Sequence, residues 1–116
     1  MSPARSVYVT IVNQTDLELM LLSSDLDDGE WSDNLTPPTV IPAGQTVNFQ
    51  AESDGIMTGV QGSVRYDSSA GHFSFDFDDP YSGSNSYNEK APGGYSIDRS
   101  GGGGDNANVT WTITSS

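Results

Sequence analysis

The chain has 116 residues, the size range of a single domain with one modest core. Sixteen Asp and Glu stand against four Lys and Arg, a net charge of −12, with no basic run. That excludes a phosphate-neutralising nucleic-acid binder and a polybasic grip on anionic lipid, and the absence of cysteine excludes disulfides, thiolate metal sites and thiol catalysis.

Alternation dominates the pattern. Val7, Val9 and Ile11 share one face of a first strand, with Tyr8, Thr10 and Val12 on the other. The cluster Asn13-Gln14-Thr15-Asp16 reads as a turn, after which Leu17, Leu19 and Leu21 oppose Glu18, Met20 and Leu22. An acidic loop holding Trp31 is expected from Ser23 to Asn34 and ends at Pro37-Pro38. Thr39 to Ile41 reads as a short edge piece before a turn at Pro42-Ala43-Gly44.

Val47, Phe49 and Ala51 form the next inward row. Beyond Glu52-Ser53-Asp54-Gly55, a strand is predicted from Gly59 to Tyr66 with Val60, Val64 and Tyr66 in phase. Gly62 in its middle signals a bulge or a close backbone approach. Phe73, Phe75 and Phe77 alternate with His72, Ser74 and Asp76 in the clearest half-buried strand. A long polar loop is expected from Asp78 to Gly94. Tyr95 and Ile97 then mark a short strand, Gly101 to Gly104 a flexible connection, and Val109, Trp111 and Ile113 a terminal strand. No stretch has sustained helical periodicity, so the expected fold is all-β, an antiparallel two-sheet β-sandwich with polar outer faces. Apolar residues make up 34% of the chain, with five Tyr, four Phe and two Trp, enough to seed that core and too many for disorder throughout.

Little in the sequence points to catalysis. His72 is the single histidine and lies on a polar strand face, and neither a G-x-S-x-G elbow nor an H-E-x-x-H pair occurs. Asp76 and Asp78 share a strand face, with Asp79 beside them, but no apolar pocket suggests itself to raise one carboxyl into an acid role. The protein is therefore expected not to be an enzyme and to need no cofactor. For metals, the weak calcium candidate is Asp25, Asp27, Asp28 and Glu30, an oxygen-rich run. It departs from the EF-hand template, because the glycine comes one place early and Thr36 occupies position twelve. Three N-x-T sequons, at Asn13, Asn34 and Asn108, read as ordinary turn and strand residues. The N-terminal stretch Met1-Ser2-Pro3-Ala4-Arg5-Ser6 has no apolar run of signal-peptide length. Cytoplasmic synthesis is the expectation.

Trp31, Tyr81 and Tyr87 stand in segments read as polar loops, where no strand face obliges them to be buried. Rings so placed rest on lipid interfaces, stack on sugars or hold quaternary ammonium groups, or else fold back to cap the sandwich.

Three stretches carry a recognisable signature: Leu26-Asp27-Asp28-Gly29-Glu30-Trp31, Ala51 to Val64 (AESDGIMTGVQGSV) and Phe77 to Tyr87 (FDDPYSGSNSY). Together they resemble the aegerolysin family, and most of all the bacterial branch that includes the small component of a binary crystal insecticidal toxin. The likeness runs over nearly the whole chain, so 1–116 is read as one aegerolysin-like β-sandwich domain with an actinoporin-like architecture. It implies a membrane-lipid-recognising component of a two-component pore-forming or insecticidal system, with a sphingolipid-type headgroup as a candidate ligand. It also implies a larger pore-forming partner protein. Tyr81 stands where fungal members tend to have Trp, and Thr58 where many have an acidic residue before the matching glycine. With Glu52 from the same signature, the candidate headgroup-binding set is Trp31, Tyr81, Tyr87, Glu52 and Thr58. The alternative is a glycan- or protein-binding module on the same scaffold without lytic activity.

Overall fold

The apolar rows read from the sequence become the inner faces of two packed sheets. The computed structural model describes residues 4–116; Met1, Ser2 and Pro3, which open the stretch read for a signal peptide, lie outside the described residues. Every regular element among the described residues is a strand: β1 (Ser6–Asn13), β2 (Leu19–Asp28), β3 (Glu30–Trp31), β4 (Val40–Ile41), β5 (Thr46–Glu52), β6 (Val60–Ser68), β7 (Gly71–Asp79), β8 (Ser86–Lys90), β9 (Tyr95–Gly101) and β10 (Asn106–Ser115). One sheet has the order β3-β5-β1-β10-β9 and the other β4-β2-β6-β7-β8. This is the expected β-sandwich.

Between the sheets, Val7, Val9 and Ile11 of β1 and Phe49 and Ala51 of β5 meet Val64, Tyr66, Phe73 and Phe75 of the facing sheet, all fully buried. Burial of such side chains out of water is the main drive to fold. The two largest buried rings keep their polar ends satisfied, as buried Tyr and Trp require. The Tyr66 hydroxyl donates to the Pro38 carbonyl at 2.7 Å, and the Trp111 indole N–H donates to the Glu89 carboxylate at 2.9 Å.

Three features depart from the sequence reading. First, β1 pairs antiparallel with β5 but parallel with β10, Val9 opposite Val109 and Ile11 opposite Trp111. Alternation fixes which face is buried and carries no information on strand direction. Second, β2 continues to Asp28 through what reads as a loop. Its register against β6 shifts between Leu21 and Ser23 and again between Leu26 and Asp28. Each shift interrupts the alternation, which is how β-bulges hide a strand from a period-two reading. Third, β8 lies within the stretch expected to be a loop from Asp78 to Gly94, as an edge strand on β7. Its half-buried positions are Tyr87 and Glu89, and Glu89 is a charge where an apolar residue is expected. Arg99 of β9 and the Trp111 indole both bind its carboxylate, which makes the position tenable.

Gly62 serves both roles read for it. It lies beside the second register shift, and a Cβ there would meet the Asp25 carbonyl oxygen at 2.6 Å and the Phe77 ring at 3.0 Å. Gly62→Ala is expected to lower stability by roughly 1–3 kcal/mol, the usual scale of overpacking where backbone must yield. A lower urea midpoint with an unchanged slope would show it.

Candidate functional site

At one end of the sandwich, the 53–59 loop between β5 and β6 lies against the 80–85 loop between β7 and β8. Gly59 makes the approach possible, because a Cβ there would come within 2.8 Å of both the Asp79 carbonyl oxygen and the Tyr81 nitrogen. The 53–59 loop is tied down at its base, where Ser53 and Arg5 exchange hydrogen bonds of 2.9 and 3.1 Å. At its top the Thr58 hydroxyl donates to the Gly55 carbonyl at 2.8 Å, closing the turn. Met57 takes a left-handed φ of 59°, a conformation uncommon outside glycine, Asn and Asp. The result is that Ile56 and Met57 project into solvent, 91% and 70% exposed.

Tyr81, 46% exposed, stands beside them on the neighbouring loop. Arg5 donates to its carbonyl at 2.8 Å, and the guanidinium lies 4.7 Å from its ring centroid. A groove of about 330 Å³ runs between the two loops, lined by Asp28, Met57, Thr58, Asp78, Pro80 and Tyr81. The Asp78 carboxyl is pushed above the usual range by burial and then by repulsion from Asp28.

The sequence candidates fall into two groups. Tyr81 and Thr58 belong to this end, Tyr81 as an exposed ring and Thr58 as the closure of the turn. The others are committed to the fold. Trp31 is not in a loop but on β3, half-buried, with its ring edge-on to Phe49 at 5.9 Å and to Phe77 at 6.1 Å. Tyr87 is likewise on a strand, β8; its hydroxyl donates to the Gly102 carbonyl at 2.7 Å and its ring meets Trp111 at 6.1 Å. Both rings fold back and cap the core, the outcome apolar burial favours when a strand edge is within reach. Glu52 accepts the Ser32 hydroxyl, which in turn accepts from Gln50.

Of the calcium candidates, Asp25 and Asp28 pair with β6, Asp27 sits at the register shift, and Glu30 belongs to the other sheet. No group of three His, Asp or Glu side chains among the described residues is placed to hold a metal. His72 is exposed at the opposite end of β7, 3.4 Å from Asp67. Asp76 and Asp78 line a shallow, polar hollow of about 320 Å³ on the outer sheet face, together with Asp27, Ser63, Ser86 and Asn88.

Ile56, Met57, Arg5 and Asp79 are missing from the sequence-derived set. A signal for the first two was present: an apolar pair inside the turn-forming run Asp54-Gly55-Ile56-Met57-Thr58-Gly59 has no strand face to hide it.

No family model matches the chain. A curated relative is an uncharacterised protein of Dictyostelium discoideum, 30% identical over 113 residues. The match takes in 95% of this chain but only 10% of that protein, so the chain spans about a tenth of the relative's length. Among solved structures, the crystal structure of the lipid-binding protein Nakanori superposes with a TM-score of 0.82 over 97% of this chain and 72% of that one, at 15% identity. At that identity the likeness is one of fold.

Proposed function

We propose that the protein is a non-enzymatic, membrane-lipid-recognising member of the aegerolysin family that docks through Ile56, Met57 and Tyr81. The observation that carries this reading is the pair Ile56 and Met57, held out into water by a closed turn. Leaving two large apolar side chains so exposed costs free energy that an interface recovers. The family motifs at 51–64 and 77–87, which contain all three tip residues, support it, as does the fold shared with Nakanori, a lipid-binding protein. With a net charge of −12, headgroup recognition and apolar contact rather than charge attraction hold the protein on the membrane. In the finer form of this proposal, it is made in the cytoplasm, released, and acts at a target-cell membrane. There it is the small component of a two-part pore-forming or insecticidal system with a larger partner protein.

Sedimentation with vesicles of sphingolipid, of ceramide phospholipid and of phosphatidylcholine alone tests the lipid role. Binding to at least one is expected, and binding to none would sink it. Recovery of the same larger protein in repeated pull-downs from the native source is expected if the two-part form holds.

A further inference from the structure

The 80–85 loop has a second flank. One side faces the 53–59 loop, and the other faces the glycine-rich connection from β9 to β10. Between that connection and the loop lies a groove of about 500 Å³, lined by Ser84, Asn85, Tyr87, Arg99, Asp105 and the backbone of 101–104. Its glycine wall is fastened in place. Asn85 Nδ2 donates to the Gly102 and Gly104 carbonyls, each at 2.8 Å, and the Tyr87 hydroxyl donates to the Gly102 carbonyl at 2.7 Å. The Gly102 N–H donates in turn to the Asn108 carbonyl of β10 at 2.8 Å. Gly102 lies so close to the Tyr87 ring that a Cβ there would come within 2.6 Å of it. Two residues of the 77–87 signature, Asn85 and Tyr87, thus hold one wall of the groove.

The groove offers hydrogen bonding without net charge. Its two charged side chains, Arg99 and Asp105, are opposite in sign, and each has an opposite charge outside the groove. Arg99 Nη1 is paired with Glu89, and Asp105 lies 3.7 Å from Arg5. An anion would meet the Asp105 carboxylate and a cation the Arg99 guanidinium, so neither is favoured. What remains is a mixture of donors and acceptors: the other N–H groups of Arg99, the Asp105 oxygens and the Ser84 hydroxyl. Asn85 Oδ1 joins them, because it has no partner among the described residues. Such a set fits an uncharged ligand edged with hydroxyl groups, which both donate and accept. Gly103 is a separate sign. Its φ is not left-handed and a Cβ there would meet nothing within 4 Å, so the fold has room for a side chain. The wall is bare all the same, which lets a ligand come close to the backbone.

We infer that this groove holds a neutral sugar, presented on the headgroup of a membrane glycolipid. Its volume lies in the range of small-ligand sites. The lipid source follows from position, because the groove and the exposed Tyr81 are two flanks of one loop, at the end where Ile56 and Met57 project. That source rests on the lipid-facing reading of the tip; the sugar site itself does not. The arrangement divides the work of docking. The apolar tip enters any bilayer surface, and the groove selects the headgroup. A neutral sugar also meets no repulsion from a chain of net charge −12, whereas an anionic headgroup does.

Two experiments separate the sugar from the lipid. In the first, the lipid-free protein is titrated with the methyl glycosides of glucose, galactose, mannose and N-acetylglucosamine and followed by amide NMR. At least one glycoside is expected to shift the amides of 83–85 and 101–105. Gly103→Phe fills the groove from a position with room for a side chain, and Asp105→Ala removes an exposed acceptor. Each is expected to weaken the glycoside about tenfold, with a urea midpoint close to that of the native protein. Silence of these amides toward all four glycosides, or equal shifts in the native protein and both variants, would overturn the sugar site. In the second, phosphatidylcholine vesicles are compared with vesicles that also carry glucosylceramide or galactosylceramide. The native protein is expected to bind one of the sugar-bearing kinds about tenfold more tightly than the plain one, and Gly103→Phe to bind all alike. Equal binding of the native protein to all three refutes the glycolipid source. Binding to no vesicle, with the glycoside shifts intact, refutes the lipid reading of the tip and leaves the groove as a site for a free glycan.

Discussion

Replacing Ile56 and Met57 together by Asp is expected to abolish vesicle binding while leaving the fold intact. The two side chains are among the most exposed large apolar groups in the protein and make no contribution to the core between the sheets. Their removal therefore costs little stability: exposed substitutions usually fall within about 0.5 kcal/mol, and Asp tolerates the left-handed conformation at position 57 better than Met does. The effect on docking is of another size. Burying a side chain like Ile or Met in an apolar phase contributes about 1.5–3 kcal/mol, so losing both weakens binding by roughly two to four orders of magnitude. Two added carboxylates facing lipid phosphate deepen the loss. Sedimentation with the vesicles the native protein binds, set beside a urea melt, checks both halves. An unchanged urea midpoint with unchanged binding would place the docking surface elsewhere. Ile56→Ala alone, which adds no charge, isolates the apolar term and is expected to weaken binding about ten- to hundredfold.

This tip was only partly legible in the sequence, and the reason is physical. Period-two alternation marks residues that a sheet buries, so Val7, Val9, Ile11 and the run Phe73, Phe75, Phe77 are unambiguous, and each is buried as read. A loop aromatic has no such rule. Trp31 and Tyr87 look as free as Tyr81 in the chain, yet β3 and β8 recruit both onto sheet edges. Pairing with β5 and β7 decided their fate, and pairing is a non-local event. For the same reason the acidic run from Asp25 to Glu30 reads as a loop with a weak calcium candidate, while bulged pairing with β6 places Asp25 to Asp28 on β2 and pairing with β5 carries Glu30 into the other sheet. Asp79 is the converse case. Its position in the alternation, two residues past Phe77, points inward, but its identity points outward, and the sequence gives no means of choosing between them. The end of the strand places it beneath the loops, where Arg5 arrives from the far side of the chain to share the interior.

That buried carboxyl also leads to the second large expected effect, a stability that falls as the pH rises through the mildly acidic range. Asp79 has its carboxyl pushed up to about 6 in the folded protein, chiefly by burial, from an ordinary value of 3.8. Between those values the folded chain keeps a proton that the unfolded chain has released, so unfolding becomes easier with increasing pH. Below about pH 4 both states are protonated and the contribution is fully present. Above about pH 6 both are ionised and it is gone. A shift of this size corresponds to something on the order of 3 kcal/mol, a large part of the stability of a small domain. Asp78, raised in the same direction, remains in any variant at position 79 and cancels from the comparison. Asp79→Asn removes the titration, so the difference in unfolding free energy between variant and native protein is expected to grow in the variant's favour from pH 4 to pH 7. Urea melts at half-unit pH steps give that difference directly. A constant difference across the range would mean that Asp79 keeps an ordinary acidity and that water or Arg5 satisfies its charge in the folded state.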